Sequence, residues 1–169
     1  MQNKNNLIEI INNNKLIFDD FIFDCSIGKN GTTSKKFEGD KKTPCGTYEL
    51  GDLYYRSDKE KKPITKLKKN IINKNMKWCD DINDKKNYNK LISNRKVLKY
   101  EKMYRKDNKY NFLIPILYNT KKRVLKKGSA IFIHITKNYN PTAGCIALTR
   151  KDFLVLLKII NKKTRIKII

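Results

Sequence analysis

One histidine and one nearby cysteine have the types and spacing needed for nucleophilic catalysis. His134, the only histidine of the chain, and Cys145 both lie within residues 128–149, GSAIFIHITKNYNPTAGCIALT. A thiol becomes a strong nucleophile at neutral pH when an adjacent base accepts its proton, and imidazole commonly serves as that base. Gly144 precedes the cysteine and allows the backbone to turn sharply close to a substrate carbonyl. The pair predicts attack by Cys145 on an acyl carbon, with His134 as the base.

The neighbouring residues predict strands that bring these two side chains together. Residues 130–136, AIFIHIT, are apolar, β-branched or aromatic, which predicts a strand buried on both faces. Alternation along the strand places Phe132 and His134 on one face. Residues 137–141, KNYNP, predict a loop, and CIALT resumes as a strand. We therefore expect a thiolate–imidazolium pair, with Cys145 within about 3 to 4 Å of His134.

The composition predicts a single globular domain over residues 1–169, which we expect to be monomeric. The chain has 169 residues, of which 39% are hydrophobic, enough for a proper core. No apolar run reaches the length of a membrane-spanning helix. The first residues, MQNKNNLIEIINNNKLIF, lack the uninterrupted apolar segment and cleavage site of a signal peptide.

The formal net charge of +23 first suggests a nucleic-acid partner. The excess is mostly lysine, however, and lysine, asparagine and isoleucine are all abundant together, which is the bias of an AT-rich coding sequence. The lysines are also scattered along the chain. We therefore expect a solvated basic surface without a specific nucleic-acid site, although such a surface favours anionic polymers in general, including cell-wall material.

The other cysteines predict no metal or disulfide framework. Cys25, Cys45 and Cys79 are far apart, and no CxxC pair occurs. All three are explained as small apolar side chains in a core. The carboxylates that follow Cys79 raise the pKa of a nearby thiol, so we expect Cys79 to be unreactive. Cysteine–histidine chemistry needs no organic cofactor, and we expect neither a cofactor nor a metal.

Short apolar runs separated by turn residues predict a mainly β fold with one helix near the C-terminus. Strands are predicted at LIEII, KLIF, FIFDCSI, TYEL, YNFLIPILYN and TRIKII. Pro115 predicts an edge strand or a bulge. Residues 28–47 predict a polar, glycine-rich loop. Residues 51–110 predict an elaborated surface region, and the segment KLKKNIINKN within it predicts a short helix. In RKDFLVLLKIINKK the apolar residues recur at helical spacing, with Thr149 and Asp152 resembling a capping box.

The stretch HITKNYNPTAGCIAL resembles the active-site signature of the L,D-transpeptidase catalytic domain, the YkuD family. There an upstream histidine precedes a Ser/Thr-x-Gly-Cys element and an apolar strand, positions held here by His134, Thr142, Gly144 and Cys145. Residues 38–50, EGDKKTPCGTYEL, are similar to a second family element that contains Thr-Pro-x-Gly-x-Tyr. Further similar segments, LYYRSD, MKWCDD, NYNKL and GSAIFIH, extend the resemblance over about residues 16–169.

The resemblance implies a β-sandwich or barrel that modifies peptidoglycan stem peptides. Cys145 would attack the carbonyl that links the third residue of a stem tetrapeptide to D-alanine. A thioester would form, D-alanine would leave, and an amine of a second stem would take the acyl group. A hydrolase of the carboxypeptidase or amidase type on the same scaffold, which passes the acyl group to water, is the alternative. The family implies a periplasmic or cell-envelope location. Because no signal peptide is visible, a cytoplasmic location is the alternative.

The resemblance also implies which residues surround the substrate. The backbone N–H groups of Gly144 and Cys145 would form an oxyanion hole. We expect Thr142, Asn119, Arg56 and Trp78 to bind the substrate. Two positions depart from the family pattern, because Ala143 stands where histidine is frequent and Ala147 where arginine is frequent. A carboxylate anchor is thus missing, and Arg56 or Arg150 are the candidates to replace it.

Two classes of function remain as alternatives. A basic nucleic-acid-binding protein would lose DNA binding steeply with salt and would be indifferent to changes at Cys145. A catalytically silent wall-binding module would bind muropeptides normally without forming a thioester.

Overall fold

The computed structural model describes residues 6–93 and 96–169, and these are mainly β with one helix, as predicted. The strands are β1 (Leu7–Ile11), β2 (Lys15–Phe18), β3 (Phe21–Asp24), β4 (Thr32–Thr33), β5 (Thr43–Pro44), β6 (Gly46–Glu49), β7 (Leu53–Tyr55), β8 (Lys69–Ile71), β9 (Met76–Cys79), β10 (Leu91–Ser93), β11 (Tyr100–Lys102), β12 (Phe112–Pro115), β13 (Phe132–Thr136), β14 (Ile146–Thr149) and β15 (Arg165–Ile168). The helix, α1, spans Arg150–Ile159.

Two five-stranded sheets enclose the main core. One has the strand order β3-β2-β1-β15-β6, and the other has the order β14-β13-β12-β7-β8. Alternate side chains of both sheets enter the same apolar cluster, which includes Ile8 and Ile10 from β1 and Phe112 and Ile114 from β12. The smaller sheet β10-β9-β11 lies within the predicted surface region. The predicted sandwich-like β architecture is confirmed.

Strand β13 separates this core from a second, smaller one. Ile133 and Ile135 belong to the main cluster, whereas Phe132 belongs to a second cluster with Trp78 and Cys145. All five residues of β13 are buried except Thr136, which is half-buried. The predicted burial on both faces is confirmed, and alternation places His134 on the Phe132 side, away from the main core.

The C-terminal helix forms where its cap was predicted. The Thr149 hydroxyl accepts a hydrogen bond from the backbone N–H of Asp152, at 3.2 Å, and so satisfies one of the free N–H groups of the first turn. Phe153, Leu156 and Leu157 form the buried face, which packs into the main core. Since α1 follows β14 directly, it fixes the direction in which Arg150 leaves the sheet.

One prediction about local structure is wrong, and one of the two alternatives for Pro115 is excluded. Residues 66–75 contain strand β8, which pairs in parallel with β7, and form no helix. Their polar and apolar residues lack helical spacing, and Asn73 accepts a hydrogen bond from the Asn75 N–H in a turn that ends the segment. Pro115 ends β12, which lies in the middle of its sheet, so the edge-strand interpretation fails. The end position tolerates the missing N–H, while the Pro115 carbonyl accepts a hydrogen bond from Gly51.

Candidate active site

A cavity of about 870 Å³ extends along the face of β13 that carries His134. His134 and Cys145 both contribute to its wall. Lining residues near the start of β13 include Glu38, Asp80 and Ser129, and those near its end include Glu60, Asn111 and Arg150. The cavity therefore contains the predicted nucleophile and base, and its wall carries both acidic and basic side chains.

Cys145 lies just before β14 with its thiol held by the backbone. Its Sγ accepts a hydrogen bond from the Phe132 N–H, at 3.4 Å, and donates one to the Ala130 carbonyl, at 3.3 Å. The residue is 9% exposed, and burial raises the pKa of the Cys145 thiol to about 12. The resting thiol is therefore protonated and neutral at pH 7.

His134 is a buried, neutral imidazole. Its Nδ1 lies 3.0 Å from the carbonyl oxygen of Ile135. Because a carbonyl only accepts, Nδ1 carries the proton in this hydrogen bond, which leaves the lone pair on Nε2. The residue is 7% exposed, and burial lowers the pKa of His134 to about 4. A backbone carbonyl thus orients the ring, and a basic nitrogen stays available at neutral pH.

The two side chains share a face but form no hydrogen bond with each other. His134 pairs with Ala147 in the parallel β13–β14 ladder, and Cys145 is two residues before Ala147, hence on the same face. Among the hydrogen bonds of the described residues, however, none joins the thiol to the imidazole. The expected hydrogen bond is therefore absent from this resting state, and the pKa shifts favour a neutral thiol and a neutral imidazole over the expected thiolate–imidazolium pair. Each group has a backbone partner, and burial disfavours both charged forms.

The turn at Gly144 requires glycine. Its φ is +137°, and a Cβ built there would lie 2.8 Å from the backbone oxygen of Lys42. The Thr43 hydroxyl fixes the turn from the opposite loop, because it donates to the Gly144 carbonyl and accepts from the Gly28 N–H, both at 2.9 Å. Thr43 belongs to residues 38–50, EGDKKTPCGTYEL, the second segment that resembles the family. That element therefore supports the cysteine turn.

Thr142 holds the same turn from within. Its hydroxyl accepts a hydrogen bond from the Gly144 N–H, at 3.0 Å, and donates one to the Cys145 carbonyl, at 2.6 Å. The Gly144 N–H, one of the two expected oxyanion donors, is therefore engaged in the resting state. Thr142 also lines the cavity, as its predicted substrate-binding role requires.

Gly144→Ala should destabilise the fold and reduce activity, since alanine rarely adopts this φ and its methyl group would press on a backbone oxygen. We expect a loss of roughly 1–3 kcal/mol, measured by urea unfolding. Gly39→Ala is the matched control, because Gly39 also has a positive φ, +81°, but open space around its Cβ position. An equal loss in both variants would show that the Lys42 contact is unimportant.

Three of the predicted substrate-binding residues do not line the cavity. Arg56 is 3% exposed, binds Asp58 through two hydrogen bonds and stacks on Tyr104. The Trp78 ring packs against Phe132, and its Nε1 donates to the Asn89 side chain. In this conformation both side chains are engaged within the protein and neither reaches the cavity wall.

Asn119 is likewise engaged within its own loop. Its amide donates to the carbonyls of Val124 and Gly128, and its Oδ1 accepts from the Val124 N–H. With a φ of +52°, Asn119 initiates the turn that leads back to β13. It therefore supports the site from a distance.

Sequence reasoning missed several residues of the cavity wall. The Tyr110 ring lies edge-on to the His134 ring, at 5.4 Å between centroids, and Arg105 stacks over Tyr110. Glu38 accepts hydrogen bonds from the hydroxyls of Tyr88 and Ser129, at 2.6 and 2.8 Å. No local motif marks these residues, because they reach the cavity from separate segments.

Neither a metal cluster nor a membrane helix is found in residues 6–93 and 96–169. No group of three or more His, Cys, Asp and Glu side chains is arranged there to hold a metal ion. No helix in these residues is long and apolar enough to cross a membrane.

Comparison with known proteins identifies the family. The family model described as the L,D-transpeptidase catalytic domain, YkuD, matches residues 2–168. The match starts before residue 16 and thus includes β1, beyond the segments recognised in the sequence. Comparisons with curated proteins and with solved structures gave no match. With nearly its whole length matched and a mainly β fold, the chain belongs to the L,D-transpeptidase catalytic-domain family.

Proposed function

We propose that this member of the family is a peptidoglycan L,D-transpeptidase that uses Cys145 as its nucleophile and His134 as its base, within one catalytic domain of residues 1–169. The observation that carries the proposal is the placement of the only imidazole and a thiol on one face of a single cavity. The substrate class, stem peptides of the cell envelope, follows from the family.

The first half-reaction forms a thioester. The Cys145 thiol gives its proton to Nε2 of His134 as the sulfur attacks the carbonyl that precedes D-alanine. The S–C bond forms, the C–N bond breaks, and the proton passes from His134 to the departing amine. Proton transfer accompanies attack because the resting thiol is neutral. The thiol must also leave the Ala130 carbonyl and turn toward the imidazole.

The oxyanion that develops needs N–H donors near the sulfur. We assign this role to the backbone N–H of Cys145 and, once the Thr142 hydroxyl has moved aside, to that of Gly144. Each such donor typically contributes about 3 kcal/mol to transition-state stabilisation. The rigid turn at Gly144 keeps these donors at a fixed distance from the nucleophile.

The second half-reaction transfers the acyl group. An amine of a second stem peptide attacks the thioester and loses its proton to His134, the S–C bond breaks, and Cys145 regains a proton. Water in place of the amine gives a tripeptide by hydrolysis.

Mass spectrometry of the protein with disaccharide tetrapeptides tests the proposal. We expect release of D-alanine, an acyl adduct on Cys145 and a cross-linked dimer whose mass is that of two tetrapeptides minus D-alanine. A tripeptide without a dimer would establish the hydrolase alternative. Unchanged tetrapeptide without an adduct, with retained binding, would reject catalysis and favour a wall-binding module.

A further inference from the structure

A single buried asparagine connects the smaller sheet to the segment that precedes β13. Asn89 lies between β9 and β10 and is 3% exposed. Its Oδ1 accepts hydrogen bonds from Trp78 Nε1, at 2.8 Å, and from the Ala130 N–H, at 3.1 Å. Its Nδ2 donates to the carbonyls of Tyr118 and Asn119, at 2.9 and 2.8 Å. Both acceptor sites and both donors of the amide are therefore used, which fixes the orientation of the side chain.

Ala130 has a backbone conformation that alanine rarely adopts. Its φ is +51°, in the left-handed region, where the Cβ atom crowds the following carbonyl. A residue persists in this region only where the surrounding structure holds it. The hydrogen bond to Asn89 engages the N–H next to the strained dihedral angle. This bond therefore opposes a return of Ala130 to the common negative φ.

The strained residue in turn holds the thiol of Cys145. The Ala130 carbonyl accepts a hydrogen bond from the thiol, at 3.3 Å, while the Phe132 N–H donates to the same sulfur, at 3.4 Å. A hydrogen bond donated by the thiol stabilises its neutral form over the thiolate. Movement of the Ala130 backbone would withdraw this acceptor and leave the sulfur free to change rotamer. Asn89 thus reaches the nucleophile through one backbone unit.

We propose that Asn89 is a positioning residue for the nucleophile. It holds Ala130 in the left-handed conformation, and the Ala130 carbonyl keeps the Cys145 thiol at the cavity wall, on the face that carries His134. The sulfur therefore starts each reaction from one defined position, as efficient attack requires. The proposal gives a role to residues 87–91, NYNKL, a segment that resembles the family but does not line the cavity. The catalytic consequence rests on the proposed function.

Alkylation of Cys145 by iodoacetamide, located by peptide mass mapping, and turnover of tetrapeptides test this role on the same variants. Asn89→Gly is the informative change, because glycine tolerates the φ of +54° at this position and removes only the side chain. Loss of the Ala130 acceptor should lower the pKa of the thiol. Alkylation should then be about 3- to 10-fold faster at each pH from 7 to 9, as expected for one neutral hydrogen bond. Turnover should fall about 10- to 100-fold, because the nucleophile no longer starts in place.

Tyr88→Phe is the matched control. It removes a buried hydrogen bond of the adjacent residue, the one to Glu38, but leaves the Ala130 N–H bonded to Asn89, so it should keep the parent alkylation profile. Cys25, buried in the main core, is an internal reporter, because a general loosening of the protein would increase its alkylation as well. Both variants retain the base and the titratable side chains that act on the thiol: His134, Tyr110, Glu101 and Lys36.

The possible outcomes are distinct. Faster alkylation of Cys145 in Asn89→Gly, with slower turnover and an unchanged Cys25, supports the assignment. An unchanged alkylation profile, unchanged turnover, an equal acceleration in Tyr88→Phe, or a parallel rise at Cys25 overturns it. If Asn89→Gly does not fold, Asn89→Ser leaves a smaller gap while its hydroxyl falls short of the Ala130 N–H, and an unchanged profile in that variant also overturns the assignment. Absence of turnover by the parent protein counts against the proposed function and leaves the alkylation result unaffected.

Discussion

We expect Cys145→Ala to abolish peptide turnover and acyl-adduct formation while the protein stays folded. The reason is chemical, since without the sulfur no thioester forms. The structural change is small, because the side chain loses one atom at a loop beside the cavity. Cys145→Ser is the matched variant, since its hydroxyl keeps partners for the Phe132 N–H and the Ala130 carbonyl yet is a much weaker nucleophile. Turnover is measured by mass spectrometry and folding by thermal unfolding.

The remaining cysteines provide the controls. Cys25 and Cys79 are buried away from the cavity, and Cys45 is half-buried and also absent from its wall. Burial raises the pKa of Cys25 to about 12 and also raises the pKa of Cys79. Single changes of these three to serine should retain activity. A loss at Cys79 equal to that at Cys145 would contradict a single nucleophile.

We expect His134→Asn to lower the rate of Cys145 acylation by about 10²- to 10⁴-fold, the usual contribution of a general base. Asparagine retains an N–H donor for the Ile135 carbonyl but offers no base to the thiol, so the variant separates catalysis from the structural role of the ring. A carbapenem-type β-lactam, whose strained amide a thiol opens, serves as the acylating reagent, with intact mass as the readout. Acylation at the wild-type rate would exclude His134 as the base.

The pH dependence gives an independent test of His134. A pKa of about 4 means that its neutral, basic form persists from pH 9 down to about pH 5, so acylation should decline only as the pH falls toward 4. Because the Cys145 pKa is about 12, simple alkylation of the resting thiol by iodoacetamide should stay slow from pH 5 to 9. Rapid alkylation at pH 6 would instead indicate a preformed thiolate–imidazolium pair.

The sequence predicts the elements that carry strong periodicity or capping signals. The alternation in β13, the turn before β14 and the Thr149 cap all follow from residues close together in the chain. For the same reason the sequence predicts that the loop after β13 returns Cys145 toward His134, whereas their shared face follows from the β13–β14 register. Their hydrogen bonds could not be foreseen, because these depend on rotamers and on burial, which only the packed structure determines.

Long-range contacts explain the other errors. The sequence does not distinguish Arg56 from Arg150 as a replacement for the missing carboxylate anchor. In the structure Arg56 is buried against Asp58, whereas Arg150 lines the cavity. Residues 66–75 have only weak intrinsic preferences for helix or strand, so the pairing of β8 with β7 determines their conformation. The Thr43 bond to Gly144 spans more than half of the chain, and no local pattern indicates such a contact.

The position of β15 determines the order in which the protein can assemble. This strand lies between β1 and β6, pairing in parallel with the first and antiparallel with the second. Leu7 thus acquires its neighbour Arg165 only after almost the entire chain has been synthesised. Until then the facing edges of β1 and β6 lack partners, and such edges invite pairing with other chains. Loop closure of this size also slows folding. Pairing of β15 with both neighbours therefore completes the sheet and covers the two strand edges that would otherwise be open to aggregation.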